Sequence, residues 1–285
     1  METIVKSTYI KRKKNGSISL RAGNKSKFVI RMTMITLFVL TIAGFLLFDY
    51  TGLEIRTAVV ETASNLYAMF FKPALNHFTW AEALYQIGVT MGLAVLSTII
   101  GAVIAFFLAL TAAANLSKEW VTKVVRVIVA FIRAVPTVLW VLIFAIAAGL
   151  GSEAAVLGML FHSIAYLVKA FSEAFEEVDK GILEALRAAG SGWWPVVIHG
   201  IIPSTFTYLL SWTFLRFEIN FSVAVAMGAA AGAGGIGFEL FMASGFYFDL
   251  NEVGFITYAI LLIAIILEVF STQLKNRYFP SSVRN

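Results

Sequence analysis

Six stretches of this chain are apolar for long enough to cross a lipid bilayer. They run over about 30–48, 84–113, 121–149, 153–172, 204–230 and 254–274. A helix needs roughly 20 apolar residues to span about 30 Å of hydrocarbon. Backbone N–H and C=O groups find no water there, so each stretch has to be helical. The expected fold class is all-α: a polytopic membrane protein of about six transmembrane helices. Composition agrees, with 59% hydrophobic and 14% charged residues against about 25% charged in soluble domains.

Orientation follows from where Lys and Arg fall. Nine bases precede the first apolar run, from Lys6 to Arg31. With the N-terminus inside, the inside segments hold 18 of the 22 basic residues, and the outside loops hold only Arg56 and Lys72. Both termini are therefore expected in the cytoplasm of a multi-pass cell-membrane protein. A basic head before an apolar run also fits a cleaved signal peptide. The run from Met32 to Phe48 is long for that and no A-x-A site follows, so it reads as a retained span. The divisions are a basic tail (1–29), a first span (30–48), an extracytoplasmic segment (49–83) with a short surface helix, a core (84–275) and a C-terminal tail (276–285). The +5 charge reads as orientation, not nucleic-acid binding.

Chemistry is sparse. There is no Cys, hence no thiolate or disulfide, and His77, His162 and His199 have no metal-ligand spacing. No phosphate-cradling P-loop occurs. No cofactor or metal is expected and the chain is not read as an enzyme. A membrane-embedded phosphatase or transferase would need a His/Asp/Arg cluster at one face, which is missing from the sequence pattern.

The informative segment is "EALRAAGSGWWPVVIHGIIPS", residues 184–204, between the fourth and fifth spans. Ile182, Leu183, Leu186 and Ala189 recur at helical spacing. Gly190 suits a helix stop, Pro195 the first turn of a second short helix, and Pro203 the opening of the fifth span. Two readings stay open: a structured loop anchored on the membrane face by Trp193 and Trp194, or a docking knob for a soluble partner.

The stretch resembles the EAA loop of binding-protein-dependent ABC importer permeases, whose pattern is Glu-Ala-Ala, three residues, Gly, nine residues, Ile-x-Leu-Pro. Glu184, Ala185, Gly190 and Pro203 stand at those spacings, with Leu186, Gly200 and Ile202 as departures. Four further segments occur in one order, "RAVPTVLWVLIFAIAAGLG", "EAFEEVDKGILEALRAAG", "LRFEIN" and "GAGGIG". Together they resemble the phosphonate-importer permeases over about residues 80–275. The resemblance implies a type I, MetI-like core and a coupling loop over 173–203. In that loop Glu184, Ala185, Leu186, Ala189 and Gly190 would meet an ATPase subunit. It also implies a second permease copy as a homodimer, and an extracytoplasmic binding protein that delivers a phosphonate, phosphate or phosphite. Thr137 stands where the family usually has Glu, and Phe221-Ser222 where it has Val-Arg. Another small solute, or secondary transport without an ATPase, is the alternative reading.

Within the spans, Arg216 sits about 18 Å deep, counted from Ser204 at about 1.5 Å per residue. A charge there costs about 2.5–3.5 kcal/mol. Arg216, Glu218 and Asn220 read either as a packing network or as pathway lining. Gly232, Gly234, Gly235 and Gly237 read as close helix packing or as an outer gate. Pro136 is expected to kink the third span and Arg133 to snorkel to the interface, while His162 reads as a packed, hydrogen-bonded His.

Overall fold

The computed structural model describes residues 11–12, 18–19, 25–52 and 54–278. Most of the expected N-terminal tail, and residues 279–285, lie outside the described residues. The chain divides into two compact units, Met1–Val60 and Glu61–Asn285. The described fold is helical throughout, apart from a two-residue antiparallel pair in which Lys11 faces Ser19 and Arg12 faces Ile18.

Among the described residues ten helices follow in order: α1 (Lys25–Leu47), α2 (Ile55–Phe71), α3 (Trp80–Ala112), α4 (Glu119–Ala134), α5 (Thr137–Ala148), α6 (Ser152–Glu176), α7 (Lys180–Ala188), α8 (Trp193–Ala231), α9 (Ile236–Phe246) and α10 (Leu250–Tyr278). Helices α1, α3, α6, α8 and α10 are each long and apolar enough to span, and α4 with α5 are apolar enough together to make either a broken sixth span or a re-entrant loop. None of the apolar window of α1 is buried.

Two expectations change in detail. The third span is not one kinked helix: α4 and α5 meet at 89°. A residue before proline is pushed out of the α region, and Val135 is extended at φ −85, ψ 124, with Pro136 extended after it. Two successive extended residues turn a kink into a corner. Pro136 has no N–H, so the Ile132 carbonyl four residues earlier has no intrahelical donor. The Trp140 indole Nε1 donates to that carbonyl instead, at 3.0 Å.

The fifth span opens at Trp193, not Pro203. Its first turns run through a π turn, Val197–Ile201, in which Ile202 N–H bonds Val197 O. In an α-helix the Pro203 ring would press on the carbonyl of residue 199. The wider turn relieves that contact and the helix continues unbroken to Ala231.

The centre of the larger unit is formed by α3, α6 and α8, the helices in closest mutual contact. Phe171, Phe175, Leu167, Ile201 and Leu110 fill one end of it, and Met159, Val141 and Met227 the other. Helix α5 lies close on α6 because Gly158 has no side chain: a Cβ there would sit 2.5 Å from the Val141 backbone. Helix α3 starts on the sequence Thr79-Trp80-Ala81-Glu82, a reciprocal cap in which the Glu82 N–H donates to Thr79 Oγ1 and the Thr79 N–H to Glu82 Oε2.

Candidate functional site

At one end of the larger unit the α6–α8 connection is built around α7. Asp179 caps it, accepting from the Gly181 N–H at 2.6 Å. Gly190 ends it at φ +79. Its N–H donates to Arg187 O and the Ser191 N–H donates to Leu186 O. Those two bonds, 5→2 and 6→1, make a Schellman stop, which needs a left-handed residue at the Gly190 position. Leu183 is buried and Leu186 half-buried against Gly200, where a Cβ would meet Leu186 at 3.0 Å.

The connection is pinned to the α3–α4 turn. Arg187 donates to Asn115 O, Trp193 Nε1 donates to Leu116 O, and Asn115 Nδ2 donates to Phe175 O. Arg126 pairs with Glu176 and donates Nε to Ala112 O. What remains outward is the face of Glu184, Ala185, Ala189 and Gly190, with Ile182, Trp193 and Trp194 also exposed. Of the predicted coupling residues, only Leu186 turns inward.

The interior polar site joins α3, α6 and α8. Asn220 Nδ2 lies 2.8 Å from Thr98 Oγ1, 2.8 Å from Ser163 Oγ and 3.2 Å from Ser97 Oγ. Each of those hydroxyls spends its hydrogen on its own helix: Ser97 on Leu93 O, Thr98 on Ala94 O, Ser163 on Met159 O. Their lone pairs are then free to accept from the Asn220 amide. Arg216 Nε donates to the same Ser163 Oγ at 3.1 Å. One hydroxyl has one hydrogen and two lone pairs, so Ser163 is saturated.

Arg216 is only 2% exposed, and its guanidinium lies 5.3 Å from the Tyr166 ring centroid. Such a cation–π contact is worth about 2 kcal/mol when desolvated. With the Ser163 bond it offsets much of the cost of burying the charge. Among the described residues Arg216 Nη2 and Asn220 Oδ1 have no hydrogen-bond partner. Arg216 and Asn220 converge on one group, whereas Glu218 is half-buried.

At the other end of α8 the glycines turn the chain. Gly232, Gly234 and Gly235 all have positive φ. The Gly235 N–H donates to Gln86 Oε1 and the Ile236 N–H to Thr90 Oγ1, while Gln86 Nε2 bonds Glu239. A Cβ on Gly237 would fall 1.8 Å from Val225 O, so α9 folds back directly onto α8.

Residues 101–284 match the family of binding-protein-dependent transport system inner membrane components. The chain belongs to that family. This permease is 34% identical over 190 residues to the phosphite transport system permease protein PtxC of Stutzerimonas stutzeri, covering 66% of this chain and 68% of that one. It is 31% identical over 188 residues to the phosphate-import permease protein PhnE of Mycolicibacterium smegmatis, covering 65% of this chain and 35% of that one. Among solved structures it resembles the inward-facing MetNI methionine ABC transporter, with TM-score 0.63, 16% identity, and coverage of 72% of this chain and 100% of that one. The permease is thus a multi-pass inner-membrane transport component with a MetI-like fold, and not an enzyme.

A clasp that no local spacing announces lies opposite the α7 end. Buried Glu252 accepts the N–H groups of Asn76 and His77 on Oε1, at 3.0 and 2.8 Å, and bonds His77 Nδ1 at 2.7 Å through Oε2. Asn76 Nδ2 bonds Asp249, and His77 stacks on Tyr247 at 4.0 Å. Burial works to raise the Asp249 carboxyl. Hydrogen bonds from Asn76, Glu252 and Asn251, with His77 nearby, outweigh it and hold the group below its ordinary value. His77, Asp249 and Glu252 also form a His/Asp/Glu set within 4.8 Å, whose atoms the clasp already uses. These partners are more than 170 positions apart, beyond any local spacing rule.

Proposed function

We propose that this permease is the membrane subunit of an ATP-driven importer for a phosphate-class oxyanion: phosphite, phosphate or a phosphonate. The observation that carries the reading is the capped α7, with Glu184, Ala185, Ala189 and Gly190 turned outward at the spacing of an ATPase-coupling loop. The names of the two relatives support the anion class. In this reading the α7 end and both termini are cytoplasmic, α7 enters an ATPase subunit, and two copies of the permease enclose the pathway. An extracytoplasmic binding protein delivers the anion at the Gly232–Gly237 end.

The interior residues take separate roles. Arg216 lends a positive bias to the path without being an open binding site, which its 2% exposure supports. Asn220 fixes the register of α3, α6 and α8. The glycine turn forms an outer lip, and the Pro136 corner gives α4 a pivot against α5. Thr137 and Phe221-Ser222 tune which oxyanion is accepted.

The test is reconstitution with the cognate ATPase and binding protein in proteoliposomes. ATP-dependent uptake of labelled phosphite, phosphate or methylphosphonate is expected. Uptake at equal rate without ATP or ATPase would replace the reading with secondary transport. ATP-dependent uptake of none of the three would remove the anion class.

A further inference from the structure

Between α4 and α6 an open cleft of about 270 Å³ is walled by Arg126, Arg133, Lys169, Ser172, Glu173 and Glu176. A water's share of the liquid is about 30 Å³, so the cleft has room for a group several waters in size. Its three bases are not equivalent. Arg126 is committed to Glu176 and Ala112 O. Lys169 pairs with Glu173 at 3.5 Å, both side chains half-exposed. Glu176 is thereby matched closely and Glu173 only through a long, half-exposed contact, and one base remains without an acid.

That base is Arg133. It is exposed and, among the described residues, makes no hydrogen bond or ion pair. Its planar fork of five N–H donors stands open to the cleft. The neighbouring stripe of α4 is apolar and uncovered, with Val127 69% and Phe131 64% exposed.

We propose that this cleft binds a tetrahedral phosphate-class oxyanion, with Arg133 as its two-pronged ligand and Lys169 as the second positive charge. A guanidinium fork matches two oxygens of a phosphate in one plane, which an ammonium does not. Lys169 can turn from its long, half-exposed pair to a third oxygen. The same group arrives from two sources. One is the headgroup of an anionic phospholipid whose chains lie along Val127 and Phe131. The other is a free phosphate or phosphonate anion. The site stands on its own geometry, whichever solute the permease carries.

The test uses the full chain in nanodiscs. In one arm the discs are phosphatidylcholine, and equilibrium binding of radiolabelled inorganic phosphate is measured. In the other the discs are doped with phosphatidylglycerol, and the phosphatidylglycerol retained after detergent extraction is quantified. Arg133→Gln is expected to lower retention about tenfold, the size of one charge-assisted contact, in the arm that carries the native source. Arg133→Lys should recover part of it, and Arg56→Gln, which removes a base elsewhere, should match wild type. Loss in the phosphate arm identifies the free anion; loss in the lipid arm identifies the headgroup. The proposal is overturned if wild type retains neither probe, if Arg133→Gln equals wild type in both arms, or if Arg56→Gln loses as much. Melting of the same samples excludes misfolding, which an exposed side chain should not cause.

Discussion

The corner at Pro136 leaves one carbonyl for an indole hydrogen to satisfy, and removing that hydrogen has a calculable cost. The Ile132 carbonyl is left without a helical donor, and Trp140 Nε1 supplies one at 3.0 Å. The rest of the Trp140 ring packs at 5.3 Å from Phe161 and 6.4 Å from Phe131. Replacing Trp140 with β-(3-benzothienyl)alanine keeps the ring size and both aromatic contacts but substitutes sulfur for the N–H. An orphaned carbonyl out of reach of water costs about 1–3 kcal/mol. The ring contacts are worth about 0.5–1.5 kcal/mol each and are unchanged by the substitution. The expected loss is therefore about 2 kcal/mol, read by titration with a denaturing detergent in mixed micelles. Trp80 is the control: it is 68% exposed, so the same replacement there should change stability by less than about 0.5 kcal/mol. Equal stability of wild type and the position-140 isostere would refute the argument. So would equal losses at positions 140 and 80, since the effect would then belong to the ring and not to the bond.

Gly237→Ala should abolish a well-ordered fold, because its Cβ would fall 1.8 Å from Val225 O. Gly88→Ala, with nothing within 4 Å, should be neutral or stabilise by up to about 1 kcal/mol; size-exclusion profiles and melting separate the two. Gly190→Val places a branched residue at φ +79, which costs about 1–2 kcal/mol, and should depress transport-linked ATPase stimulation while membrane insertion persists. Asp249 has a folded value below its ordinary 3.8, so its stability contribution is complete above that pH and is lost as pH falls through the lower folded value. Asp249→Asn should accordingly flatten the acid limb of the stability profile. Arg216→Lys should keep most uptake and Arg216→Gln lose most of it if the role is electrostatic bias. Parallel loss of melting temperature in both variants would assign Arg216 to packing.

What was legible in the chain was whatever one local rule decides. Apolar length marked the spans, and the Glu184–Gly190 spacing marked α7 and its stop, because a Schellman turn is closed within six residues. The near-right-angle corner needed two rules together, the missing N–H of Pro136 and the extended bias it places on Val135. The start of the fifth span was displaced because Pro203 usually opens helices, whereas here the π turn before it absorbs the proline. Ser97, Thr98 and Ser163 were hidden for a different reason. Each is a small hydroxyl already bonded to its own backbone, and its second role appears only when Asn220, more than 50 positions away, is brought beside it. A cue was available in the polar pair Ser97-Thr98 inside an otherwise apolar span.

The unbroken run of α8 has a consequence for how this chain can change in length. Its 39 residues, at about 1.5 Å each, make a rod of about 58 Å. One residue inserted ahead of Arg216 would rotate everything beyond it by about 100° relative to α7. Arg216 and Asn220 would leave Ser163, and the glycines would leave Thr90 and Gln86. The π turn at Val197–Ile201 is the geometric equivalent of one such insertion, absorbed within a single turn so that the helix on either side keeps its phase. With that allowance taken, further length changes in α8 are confined to its ends, and the helix is left to vary by substitution.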